Sequence, residues 1–182
     1  MNLPNNLSLL RILLVPVFIG ALFYYGPEKD NLRILALSIF VAACVTDAAD
    51  GYLARKLGQK TVLGSYLDPL ADKALLLSGF LSLSFMPNIP EAMRIPAWVT
   101  ITIVARDLVI LLGSTMIYVT TGGLKAQPLF VGKVTTFFQM GTLVAALLLV
   151  PAPFQQALNI TTVCLTVISG AGYLRMGERI LR

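Results

Sequence analysis

At 182 residues the chain is 57% hydrophobic and only 13% charged, with a mean hydropathy of +0.80, which excludes a soluble domain of ordinary composition. The length leaves room for about six spans of roughly 20 apolar residues. We therefore expect an all-α integral membrane protein of six transmembrane helices, a single membrane-embedded domain over residues 1–182. The net charge of +5 suits an anionic membrane surface or an anionic substrate, and nothing in the sequence asks for nucleic acid.

The first predicted span, 7–25, begins beside Asn5 and Asn6, lacks a small-residue cleavage pattern and is followed by further spans, so it is not a removable signal peptide. Gly26-Pro27 with Glu28, Lys29 and Asp30 breaks the chain before the second span, 33–56. Gly58-Gln59-Lys60 turns into the third, 63–86, and Pro87-Asn88-Ile89-Pro90 separates it from the fourth, 95–120. Thr121-Gly122-Gly123 precedes the fifth, 129–150, and Pro151-Ala152-Pro153 the sixth, 156–177. Tyr24, Tyr25 and Trp98 are expected in an interfacial aromatic belt on the outer side. Arg175, Arg179 and Arg182 are expected to snorkel or meet anionic headgroups.

Basic residues set the orientation. Arg11, the Arg55-Lys56…Lys60 turn, Lys125, Lys133 and the C-terminal arginines fall on one side. The other side has Lys29, Arg33 and Arg94, offset by Glu28, Asp30 and Glu91. The positive-inside rule makes both termini cytoplasmic, in a bacterial inner membrane if the chain is bacterial. Cys44 and Cys164 sit in apolar helix and read as small hydrophobes. Histidine is absent, which argues against zinc and against a Ser-His triad.

The chemistry lies in four aspartates at the cytoplasmic ends of the second and third spans. Asp47 and Asp50 are three residues apart, Asp68 and Asp72 four apart, so each pair shares a helix face. Ionisable residues within spans are costly and usually functional. Unpaired, four such carboxylates repel and take up protons; two divalent cations balance them, in a site that polarises phosphoryl oxygens and helps activate a hydroxyl. Carboxylates alone favour hard cations, Mg²⁺ or Mn²⁺. Gly51, Ala54 and Gly64 are small where a larger side chain would obstruct a flat ligand, and Arg55 offers a planar fork suited to phosphate. A divalent-cation transporter is the alternative from another class, but transport sites favour the membrane centre and repeated halves, and no repeat is visible.

The run Asp47, Asp50-Gly51, Ala54-Arg55, Gly64, Asp68 and Asp72 resembles, at every specified position, the signature of the CDP-alcohol phosphatidyltransferases. These are integral membrane enzymes that move a phosphatidyl or related group from a CDP-linked donor to an alcohol. The resemblance implies a six-helix fold, usually a homodimer, with Asp47, Asp50 and Asp68 holding two metals. It also implies that Asp72 joins the metal site and acts as base toward the acceptor hydroxyl. Gly51, Ala54 and Gly64 would line the cytidine site, with Arg55 near the diphosphate and Asp47 also on the donor side.

Further likeness, at Pro4-Asn5, Ser8, Arg11, Asp68-Pro69-Leu70-Ala71-Asp72-Lys73, Ala105-Arg106-Asp107, Gly132-Lys133, Thr136 and Gln139, is to the branch that makes anionic glycerophospholipids. It covers about residues 3–140; the last span is similar in hydropathy only. Lys73 reads equally as a phosphate ligand or a counter-charge, and Asp107 as the partner of Arg106. The implied reaction takes the phosphatidyl group from CDP-diacylglycerol and releases CMP. The expected acceptor is glycerol 3-phosphate, as in phosphatidylglycerophosphate synthases, its phosphate held by Ser8, Arg11, Arg106 and Lys133. The alternative is phosphatidylglycerol, as in cardiolipin synthases of the CDP-alcohol type, which the Arg106-Asp107 pair and the segment from Pro128 to Gln139 resemble somewhat more.

Overall fold

The computed structural model describes the backbone over residues 3–57, 62–121 and 130–181, and side chains over 9–46, 73–117, 119 and 130–178. Six helices follow one another in the order that hydropathy predicts. They are α1 (Leu3–Phe23), α2 (Asp30–Leu57), α3 (Val62–Phe85), α4 (Ala97–Thr121), α5 (Phe130–Leu147) and α6 (Ala152–Leu181). The expected turn at Gly58-Gln59-Lys60, and Gly122-Gly123, lie outside the described residues.

Two helix starts fall well ahead of expectation, and both place a proline in the first turn. Helices α1 and α6 begin at Leu3 and Ala152, about a turn ahead of the expected 7 and 156. Pro4 and Pro153 fall inside the first turn, where the missing N–H has no intrahelical acceptor to lose. Pro16 lies deeper in α1 and forfeits a bond to the carbonyl of Ile12, a loss that membrane helices tolerate.

Among the described residues, three stretches are long and apolar enough to cross a bilayer: Ala97–Ile117, Phe130–Leu147 and Ala152–Glu178. Shorter apolar stretches, Leu9–Phe23 and Lys73–Phe85, lie in α1 and α3. The distribution of polarity is that of a membrane protein. Leu111, Leu112, Val119, Phe130, Phe137, Val167 and Ile168 are exposed, while Thr135, Gln139, Thr142, Thr162, Thr166 and Ser169 are wholly buried. Water favours the reverse arrangement; hydrocarbon leaves apolar faces outside and gathers hydrogen-bonding groups between helices.

The chain divides into two compact units, Met1–Arg94 with Leu143–Leu149, and Ile95–Thr142 with Val150–Arg182. In the first, α1 packs along both α2 and α3. Its core holds Phe18, Leu22, Phe40, Phe80 and Leu83, with the Phe18 and Phe40 rings 6.1 Å apart. A Cβ on Gly79 would lie 2.9 Å from Leu143 Cδ1, so a larger residue there would push the leucine tip aside.

Polar side chains close the helix ends of this unit. Asn88 Nδ2 donates to the carbonyls of Leu22 (2.8 Å) and Tyr25 (3.0 Å), satisfying acceptors at and just beyond the end of α1. Arg33 Nη1 donates to the Leu147 carbonyl at 2.7 Å, a cation at the negative end of α5. Its Nε and Nη2 hold both oxygens of Asp30, at 2.6 and 2.7 Å. That hydrogen-bonded pairing keeps the Asp30 carboxyl below its usual range. The expected offset of Arg33 by Asp30 is thus direct contact. Just past α5, Leu149 adopts φ 57°, the left-handed position after a helix that glycine normally occupies. The aromatic belt needs one correction. Tyr24 and Trp98 are exposed, but Tyr25 is only 8% exposed, because the chain turns inward as α1 ends and Asn88 holds the Tyr25 carbonyl.

In the second unit α4 packs along α6, and α5 is joined to α6 by side-chain hydrogen bonds. Every buried described side chain of α6 is polar: Gln155, Asn159, Thr162, Thr166 and Ser169. Their alternating spacing of four and three marks one continuous helix seam. Facing groups answer it. Thr135 Oγ1 shares its proton between the Val131 carbonyl of its own helix (2.8 Å) and the Leu165 carbonyl of α6 (3.1 Å), Thr142 Oγ1 meets Thr162 Oγ1 at 2.8 Å, and Gln155 Nε2 donates to the Thr142 carbonyl at 3.3 Å.

Hydrogen bonds between membrane helices average about 0.6 kcal/mol and reach about 1.7. A double-mutant cycle on Thr142→Val and Thr162→Val, read by unfolding of the detergent-solubilised protein, should give a coupling within that range. Strict additivity of the two substitutions would show that the hydroxyl pair does not hold the helices together.

Candidate active site

In the first unit, Asp47 and Asp50 fall on α2 with Gly51, Ala54 and Arg55, and Asp68 and Asp72 fall on α3 with Gly64. The helical backbone preserves the spacings of three and four that keep each pair on one face, and α2 and α3 are in contact. The side chains of these residues lie outside the described set, as does that of Ser8 on α1. The donor set suits a hard divalent cation, since carboxylate oxygens are the ligands such ions prefer. Arg11, also on α1, is 3% exposed. An arginine so deep in an apolar helix is costly and needs a partner or a ligand.

The second unit contains a better described cluster around Arg106 of α4. Arg106 Nη1 donates to Asp107 Oδ1 at 2.9 Å, and its side chain is 9% exposed against 13% for the aspartate. The expected pairing of these neighbours is correct. Arg106 Nη2 donates to Ser169 Oγ of α6 at 2.6 Å. The Tyr173 ring, one turn on, lies 5.6 Å from the guanidinium carbon, within cation–π range. Arg106 Nε is buried with no hydrogen-bond partner among the described residues.

Two glycines make room for this arrangement. A Cβ on Gly132 of α5 would meet Tyr173 Oη at 3.3 Å and Arg106 Nη2 at 3.4 Å, and one on Gly170 of α6 would meet Arg106 Cγ at 3.4 Å. Lys133 follows Gly132 and is exposed. Of the acceptor residues expected from sequence, Arg106 and Lys133 therefore belong to one unit. Ser169, Gly170 and Tyr173 were not foreseen. The polar period ending at Ser169 and the small run Ser169-Gly170-Ala171-Gly172 were visible signals, masked by the helix's high hydropathy.

Residues 1–168 match the family model described as CDP-alcohol phosphatidyltransferase, a family generally dependent on divalent metal ions. A Mycobacterium tuberculosis protein named probable phosphatidylglycerophosphate synthase is 36% identical over 98% of this chain and 82% of its own length. A Bacillus subtilis protein named CDP-diacylglycerol--glycerol-3-phosphate 3-phosphatidyltransferase is 35% identical over 94% of this chain and 93% of its own. An Aquifex aeolicus protein of the same name is 35% identical over 76% and 71%. With helices in the expected order, acidic pairs on α2 and α3, and a family match over residues 1–168, the chain belongs to the CDP-alcohol phosphatidyltransferases.

Proposed function

We propose that this protein transfers the phosphatidyl group of CDP-diacylglycerol to a hydroxyl of glycerol 3-phosphate, releasing CMP. The reading is carried by the names of relatives similar to nearly the whole chain, together with a buried, positioned Arg106 suited to an anionic acceptor. In this reading the chain crosses a bacterial inner membrane six times as a homodimer, with site and termini on the cytoplasmic side, where the Lys and Arg excess lies.

The division of labour follows from residue chemistry. Gly51, Ala54 and Gly64 leave space for the cytidine ring, and Arg55 and Asp47 lie on the donor side. Asp47, Asp50, Asp68 and Asp72 would hold two divalent cations, Mg²⁺ or Mn²⁺, which when bound would offset the charge of the donor diphosphate and of CMP as it leaves. The acceptor phosphate, nearly doubly charged, is held by charge-assisted bonds from Arg106 and Lys133, with Ser8 and Arg11. The Asp72 carboxylate takes the proton of the acceptor hydroxyl as its oxygen attacks the lipid-bearing phosphorus. The new P–O bond forms while the bond to the CMP phosphate breaks, and CMP carries away the electron pair.

If Asp72 is the base, Asp72→Asn should leave CDP-diacylglycerol affinity within about tenfold while kcat falls by roughly 10² to 10⁴. Lost affinity with unchanged kcat would make it a binding ligand instead.

The acceptor is tested by supplying purified protein and CDP-diacylglycerol with either glycerol 3-phosphate or phosphatidylglycerol and identifying the lipid formed. Phosphatidylglycerophosphate with the former is expected. Arg106→Ala or Lys133→Ala should raise the KM for glycerol 3-phosphate by about tenfold, the loss of a charge-assisted contact. Cardiolipin from phosphatidylglycerol, with glycerol 3-phosphate ignored, would overturn the assignment.

A further inference from the structure

The family match ends at residue 168, and the next turn and a half of α6 closes around Arg106. We propose that Ser169 and Tyr173 are positioning residues for the acceptor phosphate, holding the Arg106 guanidinium in one orientation with donors left over. The proposal rests on the reading that Arg106 binds that phosphate.

An arginine side chain loses many rotamers when it is fixed. Asp107, the neighbouring residue on the same helix, holds Nη1. Fixing a planar group requires a second point from another element. Ser169 provides it at Nη2, from 63 residues away in sequence. Tyr173 adds a ring 5.6 Å from the guanidinium carbon. Gly132 and Gly170 allow the close approach of α5 and α6 to the guanidinium end and stem. The clamp is therefore built from three helices of one unit.

The clamp leaves donors unspent. Each terminal nitrogen has a second hydrogen, and buried Nε has no acceptor among the described residues. A buried N–H with nothing to bind is expensive, and in a native protein it asks for an explanation. A phosphate oxygen accepting from Nε supplies one, and a guanidinium already ordered loses less entropy on binding it. Asp107 stays beside the site, balancing the arginine's charge in the apolar surroundings.

Steady-state kinetics of the purified full-length protein test this. Ser169→Ala should raise the KM for glycerol 3-phosphate about threefold to tenfold, as for one lost hydrogen bond. Its kcat and its KM for CDP-diacylglycerol should stay within about twofold. Tyr173→Leu should act in the same direction, with Tyr173→Phe recovering most of the loss because the ring remains. In an Arg106→Ala background, Ser169→Ala should add nothing, since its effect passes through the arginine. If Ser169→Ala does not fold, the same cycle with Tyr173→Leu decides. The proposal fails if KM is unchanged, or if the effects are equal with and without Arg106. In those cases a raised KM in Arg106→Ala alone leaves the acceptor assignment standing. If Arg106→Ala itself has no effect on KM, both the assignment and the clamp fail.

Discussion

The cost of placing charge and hydrogen-bonding groups in hydrocarbon governs this protein. Insertion scales put an Asp, Lys or Arg at the centre of a membrane helix at about 2.5–3.5 kcal/mol each. Each such group in these helices therefore needs a partner, an escape to the interface or a ligand. At one set of helix ends, Arg33 reaches a carboxylate and a helix terminus together. Arg106 reaches a carboxylate, a hydroxyl and an aromatic face. The four aspartates of α2 and α3 are the largest concentration of such charge, and cations are the partners their chemistry selects.

The same constraint accounts for α6. A helix with no buried apolar side chain among its described residues is a poor solution in water, where burial of apolar area drives packing. In lipid, apolar side chains gain little by meeting one another, and hydroxyls and amides gain by doing so. Fixed hydrogen-bond directions make such a seam specific in register. That register brings Ser169 and Tyr173 to Arg106, so the packing of α6 and the fixing of a buried guanidinium are parts of one pattern.

Much of this was legible in the sequence because the relevant signals are periodic or depend on rare residue types. Hydropathy gives six helices in order, and the Asp47 to Asp72 spacing gives the family and its expected site. The Arg106-Asp107 pair was readable because adjacent opposite charges in a span have few other uses. Three features were harder. Pro153 reads as part of a breaker, although a first-turn proline costs a helix nothing. Tyr25 resembled its neighbour Tyr24 in type but not in direction, a difference set by the turn that Asn88 secures. Ser169 and Tyr173 depend on contact with a helix some 63 residues away, which hydropathy averages out.

The central claim is that the α2 and α3 carboxylates share bound divalent cations. Mn²⁺ titration of the purified protein, followed by electron paramagnetic resonance, counts them directly without relying on turnover. The account predicts two Mn²⁺ per chain, with loss of binding in Asp47→Asn and Asp68→Asn and competition by Mg²⁺. Absence of Mn²⁺ binding, or binding that survives Asn at all four positions, would contradict it.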